Sequence, residues 1–122
     1  MTYTKTNFSK KTILITGGAG FIGSNLALYF QNNFPDSNII VFDCFRSESK
    51  FSNGNLKSFG HFKNLSGFKG KIICGNINYQ NDLDLLSDYK FDYIFHQAAI
   101  SDTRVYDQTV IMETNINSFY NL

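Results

Sequence analysis

Gly17, Gly20 and Gly23 are evenly spaced behind the β-branched run Thr12-Ile13-Leu14-Ile15-Thr16 and ahead of a helix-forming stretch. In that setting a bare backbone can lie against a pyrophosphate, while the first unpaired amides of the helix and its positive dipole end attract the anion. Gly18 permits a second spacing, Gly18-x-Gly20-x-x-Gly23, that would take the same group. About 20 residues further on, Asp43 closes a second apolar run, where a carboxylate accepts hydrogen bonds from ribose hydroxyls. Each feature also has a plainer reading. The glycines could serve only a tight turn and close helix-strand packing, and Asp43 could simply end a strand or cap a turn. Arg46 and Lys50 follow closely and would neutralise a 2′-phosphate that Asp43 alone repels, which favours NADP over NAD. As isolated cations they also read as ordinary exposed loop residues.

The elements that position these groups are legible in the hydrophobic pattern. Residues 12–16 show no alternation, the mark of a strand covered on both faces of a parallel sheet. Phe21, Ile22, Leu26 and Phe30 recur at helical spacing until Asn32-Asn33 and Pro35 stop the helix. Further strands are predicted at residues 38–42, 71–74 and 91–96, with a short helix around Asp82 to Leu86 and a longer helix from Thr103 onward. Val105, Val110, Ile111, Thr114, Phe119 and Leu122 form the apolar stripe of that last helix. Residues 45–70 are rich in Ser, Asn, Gly and Lys, too long for an ordinary connection, and are expected to be functional or partly helical around Phe62 to Leu65. Strands alternating with helices predict an α/β Rossmann-like doubly wound parallel sheet of order 3-2-1-4. The complete order is 3-2-1-4-5-6, so residues 1–122 are expected to be the N-terminal part of such a domain, opened by a polar leader at 1–11.

Composition narrows the partners. The chain has 122 residues, 43% hydrophobic, with 11 Lys and Arg against 10 Asp and Glu, a net charge of +1. That balance supplies no electrostatic footprint for nucleic acid or an anionic membrane surface. Apolar runs are far shorter than a bilayer span, and residues 1–11 lack the apolar core of a secretory signal, so a cytoplasmic setting is expected. Cys44 and Cys74 show no CxxC spacing and are expected to be buried, reduced thiols. His61 and His96 have no partners at metal-ligand spacing, so no metal is expected, and His96 reads as a hydrogen-bonded core histidine. Phe59, Phe62 and Phe68 are expected in the core.

Thr16-Gly17-Gly18-Ala19-Gly20-Phe21-Ile22-Gly23-Ser24-Asn25 resembles the opening of the extended short-chain dehydrogenase/reductases acting on nucleotide sugars. Three further stretches, Asp43-x-x-Arg46-x-x-x-Lys50-Phe51, His61-Phe62-Lys63-Asn64-Leu65 and Phe95 to Thr103, resemble the branch of that family that epimerises ADP-heptose at C6. The resemblance implies that Phe21 and Ile22 contact the cofactor phosphates, Asp43 and Cys44 the adenosine ribose, and Lys50 the 2′-phosphate. It also implies adenine contact at Asn76 and Ile77, and places Gln97, Ala98, Ala99, Ile100 and Ser101 beside the nicotinamide, supported by Thr114 or Asn115. Asn76 stands where relatives often carry aspartate. Ser101, Asp102 and Thr103 could touch substrate or could cap the last helix. The implied reaction is hydride removal from the sugar and its return to the opposite face, relying on a Tyr-x-x-x-Lys pair. No tyrosine of this chain has lysine four residues on, so no catalytic residue is assigned and these residues alone are expected to bind cofactor without turnover. The implied partner is a nucleotide sugar, and the complete protein is expected to be a homo-oligomer. Another nucleotide-sugar 4-epimerase, a 4,6-dehydratase or a non-catalytic dinucleotide-binding module remain the alternatives.

Overall fold

The computed structural model describes residues 6–45 and 60–122. Four parallel strands, β1 (Thr12–Thr16), β2 (Asn38–Asp43), β3 (Lys71–Cys74) and β4 (Tyr93–His96), form one sheet in the order β3-β2-β1-β4. The order matches the expectation, and β4 starts two residues later than its apolar run. Register puts Thr16 beside Phe42 and His96, and Asp43 beside Cys74, so the carboxyl ends of all four strands meet along one edge.

Both sheet faces are covered, which is why β1 and β2 are apolar without alternation. On one face Ile13, Ile15, Ile39 and Val41 pack with Ala27 and Phe30 of helix α1 (Phe21–Asn33) and with Leu65. On the other, Leu14, Ile40, Phe42 and Ile73 pack with Ile77, Leu83 and Leu86. Leu83 ends α2 (Gln80–Leu83), and Leu86 ends the 3-10 turn Asp84–Leu86 that continues it. The leader is less polar in its role than in its composition. Phe8 enters the first core, with its ring centroid 5.0 Å from Phe30 and 4.9 Å from Tyr93. At the amino end of the sheet, Asp92 accepts hydrogen bonds from Thr12 N–H and Lys11 Nζ, tying the start of β1 to the β4 approach. Those two bonds, the amide first, hold the Asp92 carboxyl below its ordinary value.

The apolar stripes needed correction. In α1 the buried residues are Gly23, Ser24, Ala27 and Phe30, whereas Phe21 and Ile22 are exposed at its start. The final helical region begins at Gln108, not Thr103. It runs as α3 (Gln108–Met112), a π-helical turn (Glu113–Asn117) and α4 (Ser118–Asn121). Within this region Ser118 is buried while Phe119 is 63% exposed. Asp107 caps α3, accepting from the amides of Thr109 and Val110, so neither Ser101 nor Asp102 is the cap. Asp102 instead pairs with Arg104. Phe62 is exposed and stacks on His61 at 4.7 Å, while Phe68 does pack against the core; Phe59 lies outside the described residues.

Candidate functional site

A cleft of about 490 Å³ opens along the carboxyl edge of the sheet. Its floor and walls come from the turn after β1 (Gly17, Gly20), the end of β2 (Asp43, Cys44), the segment after β3 (Asn76, Ile77), the segment after β4 (Gln97, Ala98, Ala99, Ile100) and Thr114 near the start of the π turn. In a doubly wound sheet a crevice at this edge, where crossovers leave in opposite directions from β1, is the standard ligand position.

Two glycines account for how tightly the turn closes. Gly17 has φ +64, and a Cβ there would lie 2.6 Å from the Ala98 nitrogen, so only glycine lets β4's continuation run beside the turn. Gly23 is a contact of α1 against the turn itself: its Cβ would lie 2.4 Å from the Gly17 oxygen. The packing reading of these residues is thus correct, and it is compatible with the ligand reading. Gly20 is the N-cap of α1, lines the cleft and provides no side-chain cap, so no side chain of its own competes for the first-turn amides.

Asp43 is buried at the end of β2. Its Oδ2 accepts from Ala19 N–H at 2.9 Å and its Oδ1 from Phe45 N–H at 2.8 Å. Burial raises its pKa, and the two amides work against that shift. Each carboxylate oxygen retains acceptor capacity for a hydroxyl. Phe45, held by this bond, has φ +53, a conformation rarely adopted by a bulky residue. Cys44 and Cys74 are both free and exposed, which corrects the expectation of buried thiols. Desolvation on the cleft wall, helped by the Asp43 charge, pushes the Cys44 thiol up to about 11, so it remains protonated and a poor nucleophile at neutral pH.

Across the cleft, Thr16 organises the segment after β4. Its Oγ1 accepts from the amides of Gln97 (3.2 Å) and Ala98 (3.3 Å) and pairs with His96 Nδ1 at 2.8 Å. The Gln97 amide is shared with the Thr16 carbonyl at 3.1 Å, and these amide donors favour the arrangement in which the Oγ1 proton is directed at a neutral His96. Burial lowers the His96 pKa in agreement with that state. Asn115 does not line the cleft but grips Ile100 twice, donating to its carbonyl (3.0 Å) and accepting from its amide (2.7 Å). Thr114 Oγ1 accepts from Asn78 Nδ2. Of the remaining expected site residues, Phe21 and Ile22 are exposed at the α1 N-terminus, Gly23 is buried beneath the turn, and Ser101 is exposed away from the cleft wall. Arg46 and Lys50 lie outside the described residues.

The family model for the NAD dependent epimerase/dehydratase family matches residues 13–122. The chain belongs to that family. The solved ADP-L-glycero-D-manno-heptose-6-epimerase of Helicobacter pylori is 50% identical, with a TM-score of 0.84 over 99% of this chain and 37% of that one. A curated ADP-L-glycero-D-manno-heptose-6-epimerase of Brachyspira hyodysenteriae is 34% identical over 84% of this chain and 29% of its own length. The UDP-glucuronic acid 4-epimerase of Bacillus cereus, solved with UDP-glucuronic acid and NAD, is 27% identical, with a TM-score of 0.68 over 91% of this chain and 34% of that one. The chain therefore spans only about a third of the length of these relatives.

In this family member the cleft has walls that the sequence pattern did not single out, among them Asn78, Tyr79, Thr109 and Glu113. Asn78 and Tyr79 continue the Gly75-Asn76-Ile77 run past the end of β3, so the rule that ligands sit at strand carboxyl ends could have reached them. Thr109 and Glu113 are brought in by the helical path from Asp107, which a stripe counted from Thr103 misplaces. Asn78 Oδ1 is buried and has no partner among the described residues, which leaves one unused acceptor in the cleft wall. Asn76 Oδ1, by contrast, is occupied by the Asn78 amide. Among the described residues no group of three metal-ligating side chains is assembled, and no helix is long and apolar enough to cross a membrane.

Proposed function

We propose that this chain is the dinucleotide-binding part of an NADP-dependent ADP-heptose 6-epimerase. The observation that carries the reading is the cleft itself: Gly20 at the N-cap of α1, the glycine turn and a strand-ending carboxylate line one continuous space. These groups fit a dinucleotide. The first-turn amides of α1 would take the pyrophosphate, Asp43 the adenosine ribose, the region of Asn76 to Asn78 the adenine, and Ala98 and Ala99 would leave room for the nicotinamide. When bound, the cofactor supplies reversible hydride transfer to and from the sugar carbon. The 50% identity to the Helicobacter enzyme supports the heptose substrate, and supports a nucleotide sugar as partner.

Arg46 and Lys50 support NADP because a 2′-phosphate beside Asp43 needs neighbouring cations. Calorimetric titration with NADP⁺ and NAD⁺ tests this. Arg46→Ala and Lys50→Ala are each expected to weaken NADP⁺ about fivefold or more and to leave NAD⁺ nearly unchanged, the loss of one charge-assisted bond. Equal losses for both ligands would remove the preference, and no binding of either would remove the dinucleotide reading. A second reading, an NAD-dependent 4-epimerase, is favoured by the cofactor seen in the Bacillus relative. Assay of the complete protein with ADP-heptose and UDP-glucuronic acid separates the two.

A further inference from the structure

The stretch His61-Phe62-Lys63-Asn64-Leu65 contributes nothing to the cleft wall, yet it holds the glycine turn from behind. The Ala19 carbonyl accepts a hydrogen bond from the His61 amide at 3.0 Å and another from Asn64 Nδ2 at 2.8 Å. The amide of the same residue donates to Asp43 at 2.9 Å. Ala19 is fully buried, so water cannot replace these partners.

The consequence is a fixed peptide plane. In a trans peptide the N–H points away from the C=O. With the Ala19 carbonyl drawn toward Asn64, the Gly20 amide turns the other way and donates to the Gly17 carbonyl at 3.0 Å. Rotating the Ala19-Gly20 peptide would break both bonds to the Ala19 carbonyl and the Gly20–Gly17 bond, and would turn a carbonyl toward the Gly17 oxygen, inside the turn whose Gly17 and Gly20 border the cleft. An anion there would meet the negative end of that dipole. The brace is itself anchored: Leu65 is buried in the α1 core, and Gln31 of α1 donates to the Gly67 carbonyl and accepts from the Lys69 amide.

We propose that Asn64 is a positioning residue for the cofactor pyrophosphate, acting through the Ala19 carbonyl to keep the glycine turn in its anion-accepting shape. This rests on the dinucleotide reading above. The test is calorimetry on the full-length natural protein carrying Asn64→Leu or Asn64→Asp, which remove the donor, with NADP⁺, ADP and adenosine as ligands. NADP⁺ and ADP are expected to bind about fivefold more weakly, whereas adenosine, which has no phosphate, stays within about twofold of its original affinity. Unchanged ADP affinity, or equal losses for ADP and adenosine, would overturn the role of Asn64 while leaving dinucleotide binding intact. If Asn64→Leu does not fold, Asn64→Asp carries the same comparison. Loss of the fold in both variants also overturns the proposal, because the residue would then serve the fold and not the turn. Wild-type protein that takes up neither NADP⁺ nor NAD⁺ removes the dinucleotide reading and this role together.

Discussion

At the residue scale, buried polar groups decide the shape of the cleft. Asp43 and Thr16 sit at the ends of adjacent strands, and each holds backbone that comes from elsewhere in the chain. Their partners make the pH behaviour specific. His96 pairs with Thr16 Oγ1, and burial lowers its pKa from the ordinary 6.5, so the unfolded chain takes up its proton first as pH falls. Stability from this residue is therefore complete above about pH 6.5 and declines as pH drops toward the lowered value. Urea unfolding between pH 7.5 and 5.5 should show a falling midpoint in the wild type and a flatter profile in His96→Gln. A parallel profile in the two would mean that His96 does not titrate through Thr16. Asp43 has the opposite sign: its pKa is raised, so its ionisation costs stability as pH rises through the folded value.

At the scale of elements, the decisive contact is α1 on the turn after β1. The helix reaches the sheet so closely because Gly23 lies against Gly17 and Gly18. Gly23→Ala would place a methyl 2.4 Å from the Gly17 oxygen, and backbone cannot yield there as a flexible side chain could. The variant should lose at least about 2 kcal/mol in denaturant unfolding, well outside the small gain expected from alanine in an open helix. A neutral or stabilising result would show that the turn can shift. The final helical region is the contrasting case. Ser118, seven residues after Ile111, takes the buried position, and Phe119, counted into the stripe by its apolar type, is exposed. A stripe drawn by apolar type passes over a small polar residue, and Ser118 meets its inward position by donating its hydroxyl to the Thr114 carbonyl.

At the scale of the whole molecule, the sheet places four strand ends, and the cleft they border, on one edge. A ligand that spans this edge touches segments following β1, β2, β3 and β4 and binds only when all are in place. Binding should therefore stabilise the fold as a unit. At NADP⁺ concentrations of 100 times Kd the gain is about 2.7 kcal/mol, read as a rise in Tm that grows with ligand concentration. A Tm indifferent to saturating NADP⁺ and NAD⁺ would contradict the cleft's proposed role.

Strand runs, the glycine spacing and Asp43 were determined by the sequence alone, because unbroken β-branched runs and side-chain-free turns have few other uses in an α/β chain. The strand order followed from the alternation of strands with helices. Other features depend on contacts between residues far apart in the chain, and no local pattern encodes those. The Asn78 oxygen, without a partner among the described residues, is placed by the meeting of the β3 segment with Thr114. The exposure of the two cysteines depends on where β2 and β3 end at the cleft edge. The Asn64 brace on Ala19 spans 45 residues, and hydrogen bonds of that kind exist only after the core has brought both partners together.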